Sequence, residues 1–191
     1  MIILTRHGET EETKAKILQW QLPWKLTELW KLQAQKLAQR LENENIDVIY
    51  TSDLARSYDT TQYISKYHKW VEVVVSKLLR ERTFWIFDWK NKNEIWFYDK
   101  AQQEKFIAPK HWETINKVIE RAEEFIKQID ISKNMIIVSH DDISKAIYSV
   151  LTWEKFKDIK SIPKAGLTII EFKGFWDYKV KIYCDNSYLW D

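Results

Sequence analysis

The chain has a single cysteine, Cys184, among 191 residues, so no internal disulfide framework can staple it and a reducing compartment suits it. Glycine is scarcer still against expectation: three residues, where average usage is about 7%. Long apolar runs are missing as well. The opening MIILTRHGE places only four apolar residues ahead of its first charge, too few for a secretory leader or a membrane span. Charge of one sign is also lacking, since 30 Lys and Arg against 28 Asp and Glu leave +2. That balance excludes the broad basic field on which nucleic-acid or anionic-membrane binding relies. An anionic ligand must therefore be held by a local cluster, and a cytoplasmic protein with neither nucleic acid nor membrane as partner is expected.

What is present is core-forming material: 45% hydrophobic residues, enough for one domain spanning 1–191. Ile2–Thr5 reads as a buried strand running into an Arg-His pair. Leu26, Trp30, Ala34, Leu37, Ala38 and Leu41 repeat at helical spacing behind a capping Thr27. Asp47–Thr51 is a second strand, Ser57–Tyr67 a helix and Val71–Val75 a third strand. Ile115, Val118, Ile119, Ala122, Ile126 and Ile129 make a helical stripe that leads into the apolar strand Met135–Ser139. A helix carrying Ile143, Ala146, Ile147, Val150 and Leu151 follows, and Leu167–Phe172 and Val180–Asn186 form a terminal hairpin. Strands alternating with helices predict an α/β fold, a three-layer α/β/α sandwich around a mostly parallel sheet. Residues 76–109 are the least regular and suit a loop or small cap over a site.

Three strand ends carry chemistry that packing does not require: Arg6-His7-Gly8-Glu9-Thr10, Ser52-Asp53-Leu54-Ala55-Arg56, and Ser139-His140. A parallel sheet brings such ends to one edge. Arginine forks match phosphate or carboxylate oxygens, and neutral imidazole is a nucleophile. A helix beginning after His140 adds N–H groups and a positive dipole end. His68 and His111 lie in no motif and read as surface residues, and the charges from Glu120 to Glu124 read as a solvated helix face.

LTRHGET after the first strand, Ser-Asp-Leu-Ala-Arg after the second and Val-Ser-His after the fourth resemble the histidine phosphatase superfamily, the phosphoglycerate mutase-like proteins, from Ile3 to about Asn186. The resemblance implies that His7 is the nucleophile that becomes phosphohistidine. It makes Arg6, Arg56 and His140 the phosphoryl clamp, and Glu81 the proton donor. Thr13, Gln19 and Asp141 fall at positions on the phosphate side, and no metal or cofactor is implied. Arg80 and Arg82 offer Glu81 the alternative of a surface ion pair. The implied activity is hydrolysis of a small phosphomonoester. Alternatives are a phosphoglycerate mutase, and a non-catalytic binding protein for which Asp141, Trp20 and Trp85 argue.

Three features depart from that family. Thr13 stands where many members have asparagine. Asp141 replaces a glycine whose N–H approaches phosphate, and its carboxylate would repel that ligand. Tryptophan occurs eleven times. Trp20, Trp30, Trp85, Trp89 and Trp112 fall at family glycines, and Trp24, Trp70, Trp153 and Trp176 at natural glycine sites. With lysine outnumbering arginine 24 to 6, as in an AT-rich gene, these positions are expected to be UGA codons that the source organism reads as glycine.

Overall fold

The computed structural model describes residues 1–17, 27–83, 90–95, 112–174 and 177–190, the side chains of residues 13 and 92 aside. Among them, the apolar runs found in the sequence form strands β1 (Ile2–Arg6), β2 (Val48–Ser52), β3 (Glu72–Ser76) and β4 (Met135–Ser139), followed by the hairpin β5 (Leu167–Gly174) and β6 (Asp177–Asp185). These six lie in one sheet of order β3-β2-β4-β1-β5-β6. The first four strands run parallel, whereas β5 is antiparallel to β1 and β6 to β5. The sheet is thus mostly parallel with an antiparallel C-terminal hairpin, as expected.

Among the described residues the α-helices are α1 (Glu11–Lys14), α2 (Glu28–Leu41), α3 (Ala55–Ser65), α4 (Ile115–Gln128) and α5 (Asp141–Thr152). Alternation along the central strands assigns them to two layers. Ile2, Leu4, Met135 and Ile137 pack with Val118, Phe125, Ile143 and Ile147 of α4 and α5. Ile3, Ile49, Ile136 and Val138 pack with Leu37, Ala38, Leu41 and Ile64 of α2 and α3. Each such aliphatic side chain contributes roughly 1.5–3 kcal/mol on burial, which is why β1 and β4 carry no polar residue until their carboxyl ends. Thr27 caps α2, its hydroxyl accepting the Trp30 N–H at 2.8 Å, and Thr114 caps α4 in the same way at 3.3 Å.

Several details depart from expectation. Helix α3 starts two residues early, because the Leu54 carbonyl accepts the N–H groups of both Ser57 and Tyr58. Strand β3 is an edge strand with Val75 48% exposed, so its apolar run is only half covered. His68 is not a surface residue: it is buried, and its Nε2–H donates to the Leu41 carbonyl at 3.0 Å, which also accepts the Glu44 N–H at 3.1 Å at the end of α2. Arg121 is likewise not part of a solvated face but turns inward, while Glu120, Glu123 and Glu124 are exposed. His111 lies outside the described residues. Among the described residues no helix is long and apolar enough to cross a membrane.

Register decides where the motifs meet. Arg6 pairs with Ser139, Thr51 with Val138 and Ser52 with Ser76, so β1, β2 and β4 end in one row. Arg6-His7, Ser52 through Arg56, and His140 all leave the sheet at that carboxyl edge.

Candidate active site

His7 is buried, and its ring is fixed at both nitrogens. Nδ1 donates to the Gly8 carbonyl at 2.7 Å, which leaves the lone pair on Nε2, where the Arg56 Nε–H donates to it at 3.2 Å. The His140 ring lies 5.1 Å away, centroid to centroid, at 61°. His140 is fully buried, and neither of its ring nitrogens has a hydrogen-bond partner among the described residues. Burial, first of all, holds both imidazoles well below the ordinary histidine range, and the charges of Lys164, Arg56 and Arg6 lower them further. The pair is therefore neutral at physiological pH, with one nucleophilic nitrogen oriented and the second ring open to a ligand.

Arg6 and Arg56 flank these rings. Arg56 is buried in the first turn of α3. Arg6 Nη1 donates to the Ile162 carbonyl at 3.0 Å and lies 3.4 Å from Asp141 Oδ1, while its buried Nε has no partner among the described residues. A buried donor without an acceptor is costly, so this nitrogen and the open His140 ring together describe a place for anion oxygens.

Glu81 stands at the amino end of α5. Its carboxylate accepts the N–H groups of Asp141 at 3.0 Å, Asp142 at 3.2 Å and Arg82 at 3.0 Å. The Asp141 N–H, which in the family pattern would approach phosphate, is thus directed to Glu81. Asp142 is buried beside that carboxylate, and desolvation, first, and the charge of Glu81, second, push its carboxyl up to about 7. The flanking arginines have other partners: Arg80 holds Asp53 with a fork of 2.7 and 2.6 Å, and Arg82 donates to the Glu113 carbonyl at 2.7 Å and lies 3.8 Å from Asp142. Arg121, from α4, braces this segment by donating to the Leu78 and Arg80 carbonyls at 2.6 and 2.7 Å while its fork grips Glu113.

His7, His140, Arg6, Arg56, Asp141 and Glu81 are thus brought to one edge of the sheet. Thr13 belongs to α1, but its side chain lies outside the described part of the structure, as does Gln19 altogether. The sequence reading missed Lys164, which acts electrostatically on both histidines, and the Arg121 brace. Neither stands in a motif, and the one available signal was a cation at the start of the hairpin next to β1.

The wider resemblance agrees with this geometry. The profile of the Histidine phosphatase superfamily (branch 1) matches residues 2–181. The chain is 30% identical over 162 residues to the metal-independent phosphoserine phosphatase of Arabidopsis thaliana, covering 79% of this chain and 68% of that one. It is 28% identical over 195 residues to phosphoserine phosphatase 1 of Hydrogenobacter thermophilus, covering 97% and 82%. The structure superposes on YhfR of Bacillus stearothermophilus with a TM-score of 0.88 at 25% identity, covering 98% of both chains. By its sequence profile, its fold and its paired histidines, the chain belongs to the histidine phosphatase superfamily, branch 1.

Proposed function

We propose that this chain is a metal-independent phosphatase that hydrolyses a small phosphomonoester through a phosphohistidine at His7. The observation that supports it most is the fixed tautomer of His7, whose Nε2 lone pair faces Arg56 with the His140 ring 5.1 Å away. An incoming phosphoryl oxygen takes over the Arg56 donor and frees Nε2 to attack phosphorus. The bond from phosphorus to the leaving oxygen breaks as the bond to nitrogen forms, with Glu81 as the proton donor to the leaving oxygen. Water then attacks the phosphohistidine and returns its proton to Glu81, releasing inorganic phosphate. Charge spread over the transferred group is met by Arg6, Arg56 and His140, the electrostatic share of the catalysis.

In this reading the chain is one domain over 1–191 in a cytoplasmic setting, and the expected cap, 76–109, falls largely outside the described residues. The substrate is a small phosphorylated metabolite, with phosphoserine and 3-phosphoglycerate the first to test because relatives are named for acting on phosphoserine. Turnover of a phosphomonoester panel, run beside a mutase assay primed with a bisphosphoglycerate, is the deciding experiment. Release of inorganic phosphate with an acid-labile phosphoenzyme is expected, and His7→Asn should lower kcat by at least about 10³-fold. Phosphoryl return to substrate without release would identify a mutase instead. Glu81→Gln should slow poor leaving groups more than good ones.

A further inference from the structure

Lys164 enters this site by a route no motif reveals. Residues 163–166 form a tight turn closed by the Gly166 N–H to the Pro163 carbonyl at 2.9 Å, with Ala165 at φ 50° and Lys164 at the tip. The turn is clamped to the end of β1. The Ala165 N–H is shared by the carbonyls of Arg6 at 3.1 Å and His7 at 3.3 Å, and Thr5 Oγ1 donates to the Gly166 carbonyl at 2.7 Å. Arg6 reaches back to the Ile162 carbonyl, and the Tyr188 hydroxyl donates to that of Ala165. These bonds set the Lys164 backbone one residue from the groups that pair with the Arg6 and His7 carbonyls. Its ammonium forms no ion pair or hydrogen bond among the described residues, although its charge acts on His7, His140, Arg6 and Arg56. Asp141 and Glu81 act on this partly buried ammonium only from a distance, so no anion is bonded to it among the described residues.

We propose that Lys164 is a substrate-binding residue whose ammonium takes an oxygen of the phosphoryl group held between His7 and His140, and that it supplies the positive charge that Asp141 withdraws from Arg6. This rests on the phosphatase reading for its substrate but not for its anion. Asp141, 3.4 Å from Arg6, partly neutralises the clamp. A second cation acting on the same site restores the attraction, so the departure at Asp141 and the lysine at 164 belong to one arrangement. Burial, first, and then Arg6 and Arg56 hold Lys164 well below the usual lysine range, with Asp141 and Glu81 opposing them. A bound phosphate dianion opposes that shift by favouring the charged ammonium.

Calorimetry with inorganic phosphate tests this without turnover. Lys164→Gln should weaken phosphate about tenfold or more, as loss of a charge-assisted contact does. Lys164→Arg should stay within about threefold, and Asp141→Asn should tighten binding. Matching circular dichroism and unfolding midpoints show that the variants fold. Phosphate binding by Lys164→Gln within twofold of wild type, or no binding by wild type, overturns the proposal. Wild type that binds phosphate through Lys164 yet turns over no phosphomonoester supports Lys164 and sinks the phosphatase reading. Turnover with an indifferent Lys164→Gln sinks Lys164 alone.

Discussion

His7 shows how a single residue is tuned by its surroundings. Desolvation, aided by three nearby cations, keeps the ring neutral, so protonation of the free enzyme sets in only well below the ordinary pKa of 6.5. The acid limb of kcat/KM should therefore show no inflection near pH 6.5, and a profile losing half its value there would contradict the neutral nucleophile. Stability carries the same sign. The unfolded chain binds protons at His7 and His140 as pH falls below 6.5 while the folded chain does not, so folding free energy should decline from pH 6.5 downward. Urea titrations at pH 7 and pH 5.5 measure it. The histidines were legible in the sequence because they stand in motifs at strand ends. Lys164 was not, since a lone lysine before a hairpin looks like any solvated lysine.

At the level of elements, the two ends of α5 carry opposite strains. At its amino end Asp142 is buried next to Glu81, with its carboxyl raised to about 7 from an ordinary 3.8. The folded state then holds a proton that the unfolded state has already lost, so this stabilising difference is present below pH 4 and disappears as pH rises through 7. Asp142→Asn should be more stable than the parent at pH 8, on the order of 4 kcal/mol, with the gap narrowing as pH falls to 4. At the carboxyl end Trp153 occupies the left-handed region at φ 62° and is 71% exposed. A bulky residue there costs roughly 1–2 kcal/mol that glycine does not. Trp153→Gly should raise Tm by about 2–4 °C, as read by calorimetry.

Across the whole molecule, the tryptophans do not behave as one class. Trp70 is 99% exposed, Trp153 and Trp190 are 71% exposed, and all three lie outside helices and strands. Trp30 and Trp112 are instead buried, Trp30 edge-on to Tyr63 at 5.4 Å and Trp112 under the Arg82 guanidinium at 5.5 Å. Neither is the exposed indole that a misread glycine suggests, although Trp30 lies so close to Gly8 that a Cβ there would come 2.5 Å from its ring. Trp20, Trp24, Trp85, Trp89, Trp96 and Trp176 lie outside the described residues. The gene should carry UGA at most of the eleven positions, and the protein from its native host should be lighter by the corresponding Trp-to-Gly mass. UGG codons or a full-tryptophan mass would refute this.

What the sequence by itself determined is short-range: apolar runs that must bury both faces become β1 and β4, a threonine before a helical stripe becomes a cap, and three polar strand ends mark chemistry. These follow from local periodicity and side-chain type, which neighbours in the chain suffice to set. Only the tertiary structure decided which distant groups meet. Thr5 and Gly166, 161 positions apart, join because β5 pairs antiparallel with β1. That pairing brings the Lys164 turn beside His7, just as the packing of α4 against the turn at 77–79 carries Arg121 onto the carbonyls of Leu78 and Arg80. Such contacts depend on strand order and helix placement, which are outcomes of burying the whole apolar surface at once, and no window of the sequence contains them.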